Sequence, residues 1–408
     1  MDKNFLKNTF FLYLLTFTKM VLPFITLPYL TRILSVEVYG SVAYVKSIMN
    51  YVQLIIDFGF MLSITREIVV AKKENNWDKI SNIISITTVT RVILAIISLM
   101  LLLMFTTTNN ILMHNIDFVI LMFVNTFLTI FLMDFLFRGI EKMEVLTYRF
   151  LVAKIFSTVF IFIFVKNDND IILMAYIEII SSLIAVYLTY RELKFLGLNF
   201  KVPSFMECKT TIIKSFIFFI SNFSTTIFSL FITCLIGIYL DSSDVAYWSL
   251  ATQIVSGIQS FYSPICSSLY PKMIRDFNLR IVYRLLCIFI PIIVIGCIII
   301  FLYGELIITI IAGVNYIKSA EILNYLIPVI VFSFPAMLFG WPVLGALHKE
   351  KEVTAATIVS AVVQVILLTM LAWLDLFTLL NIALTRAFTE IVLLISRMGF
   401  VYLHKENV

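Results

Sequence analysis

Charge is scarce in this chain: only 13% of its 408 residues are Asp, Glu, Lys or Arg. A soluble fold of this length exposes far more charge than that, so a water-facing globular surface is excluded. Histidine is nearly absent. His114, His348 and His404 fall in separate connections or ends, which leaves no metal set and no Ser-His-Asp arrangement. The five cysteines, Cys208, Cys234, Cys266, Cys287 and Cys297, lack any C-x-x-C spacing and read as small core residues. No G-x-x-x-x-G-K-[ST] occurs, so ATP is not bound as in a P-loop transporter. Long polar connections are missing too. The longest, 191–214, is too short for the external catalytic domain of a polymerase or membrane glycosyltransferase. No cofactor is expected, and no nucleic acid, because the net charge of +5 is spread over short loops.

What the chain has instead is apolar length. Hydrophobic residues make up 61%, and the mean hydropathy is +1.03. A membrane helix needs about 20 apolar residues, and twelve such stretches follow one another: 9–33, 41–63, 80–105, 118–137, 150–165, 171–190, 215–240, 246–270, 285–303, 321–343, 354–374 and 380–403. The fold class is therefore an all-α integral membrane protein of about twelve transmembrane helices. The first stretch is too long for a signal peptide and carries Lys19 in its middle.

Basic residues orient it. Of the 30 Lys and Arg, 21 lie in the N-terminus, the loops 64–79, 138–149, 191–214 and 271–284, at 349 and 351, or at Lys405. The opposite connections hold only Arg32, Lys166 and Lys318. Cytoplasmic loops retain such residues, so both termini are expected in the cytoplasm of a bacterial inner membrane, with an even number of spans.

The polar 191–214 connection divides the chain into six and six spans, giving expected lobes at 1–205 and 206–408 around a central cavity. An offset of 207 places Glu37-Val38 on Asp244-Val245, and 208 places Glu144-Val145 on Glu352-Val353. Two such halves form a parallel repeat about an axis normal to the membrane. Polar stripes follow the same register. Lys46, Asn50, Gln53 and Asp57 lie on one helical face of the second span; Ser249, Gln253, Ser256, Ser260, Ser263 and Ser267 do so in the eighth. Thr16, Lys19, Pro23 and Thr26 mark the first span, and Asn222, Thr226, Ser229 and Thr233 the seventh. Hydroxyls alone often only join helices. Four corresponding stripes point to a wet cavity between the lobes.

An ionised group at mid-bilayer costs about 2.5–3.5 kcal/mol even on lenient scales, so charges inside spans need a reason. Lys154, Asp134 and Arg397 sit near cytoplasmic ends and are expected to snorkel. Asp57 is expected to cap its helix or pair with Arg66, and Arg386 to neutralise Glu390 four residues on. Lys19, Lys46 and Arg91 remain, deep and with no acid close in sequence, although Glu178 is a possible partner across the lobe. Together they suggest an anionic cargo such as a phosphate. The expected substrate-binding set is Lys19, Lys46, Asn50, Gln53, Arg91, Gln253 and Ser260. Asp57, Glu178, Arg386 and Glu390 are candidates for coupling or ion pairing.

L-P-Y-L-T-R-I-L at 27–34, V-Y-G at 38–40, D-F-G-F-x-x-S-x-T-R-E-I at 57–68 and R-G-x-E-K-M at 138–143 resemble the N-terminal signature of bacterial polysaccharide repeat-unit flippases. These are the O-antigen and capsule transporters of the multidrug/oligosaccharidyl-lipid/polysaccharide exporter superfamily. L-Y-P-K at 269–272 is similar to the pattern after their eighth span. The resemblance implies a V-shaped, two-lobed transporter, not an enzyme. Its cargo would be an undecaprenyl-diphosphate-linked oligosaccharide, carried to the periplasmic leaflet by alternating access. Membrane lipids, a periplasmic polymerase and chain-length machinery would be its partners. Alternatives are an ion-coupled multidrug exporter of the same superfamily, a peptidoglycan-precursor flippase, which usually has about two more spans, and a pathway enzyme such as a polymerase.

The orientation has a direct test. In a variant lacking the native thiols, Asn110→Cys lies in the 106–117 connection, which has no Lys or Arg. It should react with an impermeant maleimide in intact spheroplasts; labelling only after lysis would reverse the assignment.

Overall fold

The structure, a computed structural model, describes the backbone of residues 3–198 and 200–404, and side chains for all of these except 3–6, 221, 224–230 and 271. The described residues are largely helical in the stretches where a span was expected, with breaks inside some of them. In order the helices are α1 (Lys3–Ile33), α2 (Val36–Asp57), α3 (Phe60–Lys73), α4 (Trp77–Thr108), α5 (Asn110–His114), α6 (Ile116–Leu128), α7 (Asp134–Gly139), α8 (Met143–Phe164) and α9 (Ile171–Phe195). There follow α10 (Phe205–Tyr239), α11 (Ser242–Ser260), α12 (Tyr262–Arg275), α13 (Leu279–Ala312), α14 (Lys318–Tyr325), α15 (Ile327–Leu338), a π-helical turn at Phe339–Gly345, α16 (Glu350–Trp373) and α17 (Leu379–His404). Among the described residues, nine helical segments are long and apolar enough to cross a membrane. The chain forms two compact units, Met1–Phe223 and Ser224–Val408, and the boundary falls inside α10.

Local chemistry sets the helix ends. Ser35 caps α2 by accepting from the Val38 amide, and Asn76 caps α4 through the Lys79 amide at 2.9 Å. The second expected span is in fact two helices. Phe58 (φ 38°) and Gly59 (φ 75°) are left-handed and turn the chain between α2 and α3. Gly59 is required there twice over: a Cβ would strain the backbone and would lie 2.7 Å from Phe218 Cβ on α10.

The signature motifs prove architectural. Gly139 packs so closely on α3 that a Cβ would meet Ile68 at 2.5 Å. Thr65 donates to the Met61 and Phe135 carbonyls, and Lys72 reaches the Ile140 carbonyl at 2.7 Å and Glu141 at 3.1 Å. The 57–68 and 138–143 motifs therefore seat α3 on α7. Phe60, Ile64, Ile68, Phe135, Leu136 and Phe137 form the buried apolar core around that joint.

The fourth span is also broken. A 3₁₀ turn, Thr129–Leu132, ends at Met133 (φ 51°) before α7 begins. Such a break frees carbonyls that lipid cannot satisfy, and two arginines take them. Arg91 of α4 donates to the Ile130 carbonyl at 3.1 Å and pairs with Asp57. Arg149 of α8 donates to the Leu132 carbonyl, to Thr189 at 2.8 Å and to Asp134, and lies 5.2 Å over the Phe137 ring. Arg149, counted above with a basic loop, is thus buried, as is Arg91; they are 3% and 5% exposed.

The second unit repeats the device with its parts exchanged. Gly340 stands 207 positions after Met133, and it too breaks its helix, at φ −70° and ψ −118°. Here Arg397 of α17 donates to the Ala336 carbonyl at 2.6 Å and to Thr357 of α16 at 3.3 Å. Thr357 and Arg397 fall 208 positions after Arg149 and Thr189. The Arg–Thr pair is conserved in position between the halves, but the arginine has moved to the other helix.

Two outcomes follow from this packing. Gly59→Ala should lower thermal stability by about 1–3 kcal/mol, the usual cost of overpacking, read as a fall in melting temperature of the purified protein. Arg149→Thr should lower it by about 3–5 kcal/mol, because Asp134 loses its partner. Adding Thr189→Arg, which recreates the arrangement of the second unit, should recover part of that loss. A double variant less stable than the single one would refute the exchange.

Candidate functional site

A cavity of about 210 Å³ lies within the first unit, between α1, α6, α8 and α9. Its polar lining comprises Lys19 from α1, Asn125 from α6, Arg149 and Lys154 from α8, and Glu178 and Ser182 from α9, with Asp134 at the start of α7. Helical spacing brings these groups together. Glu178 and Ser182, four residues apart, share a face of α9, and Arg149 and Lys154 of α8 both reach the same cavity. Close packing of α8 on α9 is held by Ser181, which donates to the Ala153 carbonyl at 2.6 Å.

Lys154 and Asp134, expected to snorkel, instead line this cavity. The sequence placed them near an interface by counting residues, whereas the break at Met133 turns Asp134 inward toward Arg149.

Two of the three deep cations, which have no acid close in sequence, find one across the fold, and one of these acids is Glu178, the partner weighed from the sequence. Lys46 is bound to Glu178 at 2.9 Å, and Asn125 also donates to Glu178 at 3.4 Å. Arg91 is bound to Asp57, so Asp57 does not serve Arg66. Gln53 completes that group, donating to Asp57 at 2.9 Å and accepting from Thr129 at 2.9 Å. The Arg91–Asp57 partners are 34 residues apart in sequence and the Lys46–Glu178 partners 132, so local spacing did not assign either pair. Lys19 behaves otherwise. It lies 5.2 Å over the Phe150 ring, and among the described residues no carboxylate is within ion-pairing distance of Lys19 or Lys154, although Glu178, held by Lys46, also attracts Lys154 at longer range.

The balance of charge in the cavity follows. Asp134 is taken by Arg149 and Glu178 by Lys46, so two ammonium groups, Lys19 and Lys154, remain over. Such a pocket attracts an anion and repels an organic cation.

The other expected residues lie elsewhere. Asn50 is exposed on α2. In the second unit Gln253 is half-buried on α11, and Ser260 donates back to the Ser256 carbonyl of its own helix at 2.8 Å. Arg386 and Glu390 form the expected i, i+4 pair at 2.8 Å, largely buried. The Thr226 and Ser229 side chains of the seventh-span stripe lie outside the described residues.

Comparison with known proteins accords with this architecture. A protein of Shigella dysenteriae described as a candidate O-antigen transporter is 27% identical over 88% of this chain and 91% of its own length. One of Escherichia coli K12 with the same description is 25% identical over 65% and 64%. Among solved structures, the lipid II flippase MurJ in an inward closed conformation superposes with a TM-score of 0.73 at 13% identity, covering 97% of this chain and 87% of that one. An inward-facing multidrug resistance transporter of the MATE family gives 0.69 at 14% identity, covering 95% and 100%. These likenesses establish the fold as that of multi-pass membrane transporters. Residues 5–276, two thirds of the chain, match the polysaccharide biosynthesis protein family, and the chain belongs to that family.

Proposed function

We propose that this protein is a flippase. In this reading it carries undecaprenyl-diphosphate-linked oligosaccharide repeat units from the cytoplasmic to the periplasmic leaflet of a bacterial inner membrane, for O-antigen or capsule synthesis, by alternating access. The observation that carries the reading is the excess of cations in the first unit's cavity. Lys19 and Lys154 form no direct ion pair among the described residues, and a diphosphate is the anion that a lipid-linked saccharide presents. The described relatives and family membership support the same cargo class.

The residue roles differ from those first expected. Lys19 and Lys154 contact the diphosphate directly. Lys46 belongs to the site through Glu178 and is in position to exchange that carboxylate for a phosphate oxygen. Arg91 braces the broken fourth span, with Asp57 and Gln53, and positions the cavity wall. Asn50, Gln253 and Ser260 are left as contacts for sugar hydroxyls. The two termini face the cytoplasm, and a periplasmic polymerase receives the product. The protein acts as a transporter and performs no covalent chemistry on its cargo.

A multidrug exporter of the same fold is the rival reading, and the MATE neighbour gives it a basis. A cationic drug needs an acidic pocket, whereas the acids here are already spent on Arg149 and Lys46.

The test is complementation of a flippase-deficient strain, with surface polysaccharide scored against membrane abundance of the protein. Losing one hydrogen bond to a charged group removes about 1.5–3 kcal/mol, so Lys19→Ala and Lys154→Ala should each reduce output per molecule by about tenfold or more. Arg91→Ala should chiefly reduce abundance. Full polysaccharide production by both lysine variants at normal abundance would sink the phosphate site.

A further inference from the structure

A second cavity, of about 390 Å³, lies wholly within the second unit, where the tenth span breaks. It is lined by Ser263, Ser267 and Tyr270 of α12, Trp341 of the π-helical turn and Arg397 of α17. We infer that this cavity is a saccharide subsite, in which a pyranose ring of the cargo stacks on Trp341 and its oxygens accept from Arg397 and the two serines. The inference rests on the flippase reading above and adds to it a place for the sugar.

Three independent features point there. The first is the backbone. π-Helical turns are rare and gather at functional sites, and this one builds the cavity wall through its two glycines. A Cβ on Gly345 would stand 3.0 Å from the Trp341 ring and 3.2 Å from the Tyr270 ring, so the absence of a side chain lets both rings settle over the same spot. A Cβ on Gly340 would stand 2.9 Å from Arg397 Nη1, so this glycine admits the guanidinium.

The second is the charge on Arg397. Its counterpart pair in the first unit is neutralised by Asp134, but the equivalent positions here are Trp341 and Pro342. Among the described residues no carboxylate is within ion-pairing distance of Arg397, Glu390 being bound to Arg386 and attracting Arg397 only at longer range, and the Arg397 Nε has no hydrogen-bond acceptor. Exchanging an acid for an indole at the break leaves a donor-rich group beside an aromatic face. That combination suits a sugar, which offers apolar C–H faces and a rim of oxygens.

The third is exposure. Trp341 is 52% exposed, and Ser263 and Ser267, the last two members of the eighth-span stripe, are also exposed. Ser267 makes no side-chain bond within its own helix, unlike Ser260, which is turned back onto a carbonyl. An indole at this depth also suits an interfacial anchor among lipid headgroups. The two roles differ in what they predict for a ligand with and without sugar.

The test uses the full chain in nanodiscs and two probes: synthetic undecaprenyl diphosphate, and the lipid-linked saccharide extracted from the encoding strain after deletion of its polymerase. The wild type should bind the saccharide-bearing lipid more tightly than undecaprenyl diphosphate. Trp341→Ala should erase that difference, a loss of about tenfold or more for the saccharide lipid, and leave undecaprenyl diphosphate binding unchanged. Trp341→Phe, which keeps a stacking face, should retain most of the difference. With Trp77, Trp248 and Trp373 replaced by Phe, emission from Trp341 should shift on adding the saccharide lipid and not on adding undecaprenyl diphosphate. Equal binding of the two probes by the wild type, or unaltered preference in Trp341→Ala, would overturn the subsite and leave the flippase standing. Failure of the wild type to bind either lipid would overturn the flippase reading itself and the subsite with it.

Discussion

Inside a bilayer no water is available to satisfy a broken helix, and the rest of this structure depends on how that constraint is met. The fourth and tenth spans each interrupt their hydrogen bonding, at Met133 and at Gly340. Each break exposes carbonyls, and each set is answered by arginine: Arg91 and Arg149 in the first unit, Arg397 in the second. The guanidinium suits this role because its fork of donors reaches a carbonyl, a hydroxyl and a carboxylate at once. Breaking the helix, in turn, turns Asp134 inward and opens room between α6, α8 and α9. The cavity is therefore a consequence of the break and of the braces that make the break tolerable.

Charge then divides into two kinds. Arg91, Arg149, Arg386 and Arg397 have structural duties, and three of them are matched by Asp57, Asp134 and Glu390. Lysines behave differently. Lys46 holds Glu178, while Lys19 and Lys154 form no direct ion pair among the described residues. A lysine ammonium is a compact point charge on a flexible stem, easily moved from one partner to another. An arginine bound through several donors is not. The division of labour between the two residue types follows from that difference.

The exchange of Arg149–Thr189 for Thr357–Arg397 shows what the internal repeat preserves. Neither residue is kept at its own position, but the contact between the two helices is, and so is its reach to the neighbouring break. A carbonyl in need of a donor does not distinguish which helix supplies it. What changes is the balance of charge, because the first unit adds Asp134 and the second has Trp341 and Pro342 in its place. Similar architecture thus gives one unit a cavity dominated by ammonium groups and the other a cavity with an indole and a single arginine.

Sequence alone determined the all-helical membrane class and the family signature. Both rest on hydropathy and short motifs, which are local or additive along the chain. It also determined the Arg386–Glu390 pair, since i and i+4 meet on any helix. It offered Glu178 as a partner without saying for which cation, and it did not pair Arg91 with Asp57 or see that Asp134, Arg149 and Lys154 face one cavity with Lys19. Those groups meet through the packing of separate helices, and for Asp134 also through the left-handed residue at Met133, which interrupts a span that hydropathy treats as continuous. Which charges are consumed as braces and which are left for a ligand was decided by tertiary structure, because a carbonyl freed by a helix break attracts its donor through space and leaves no trace in the spacing of residues.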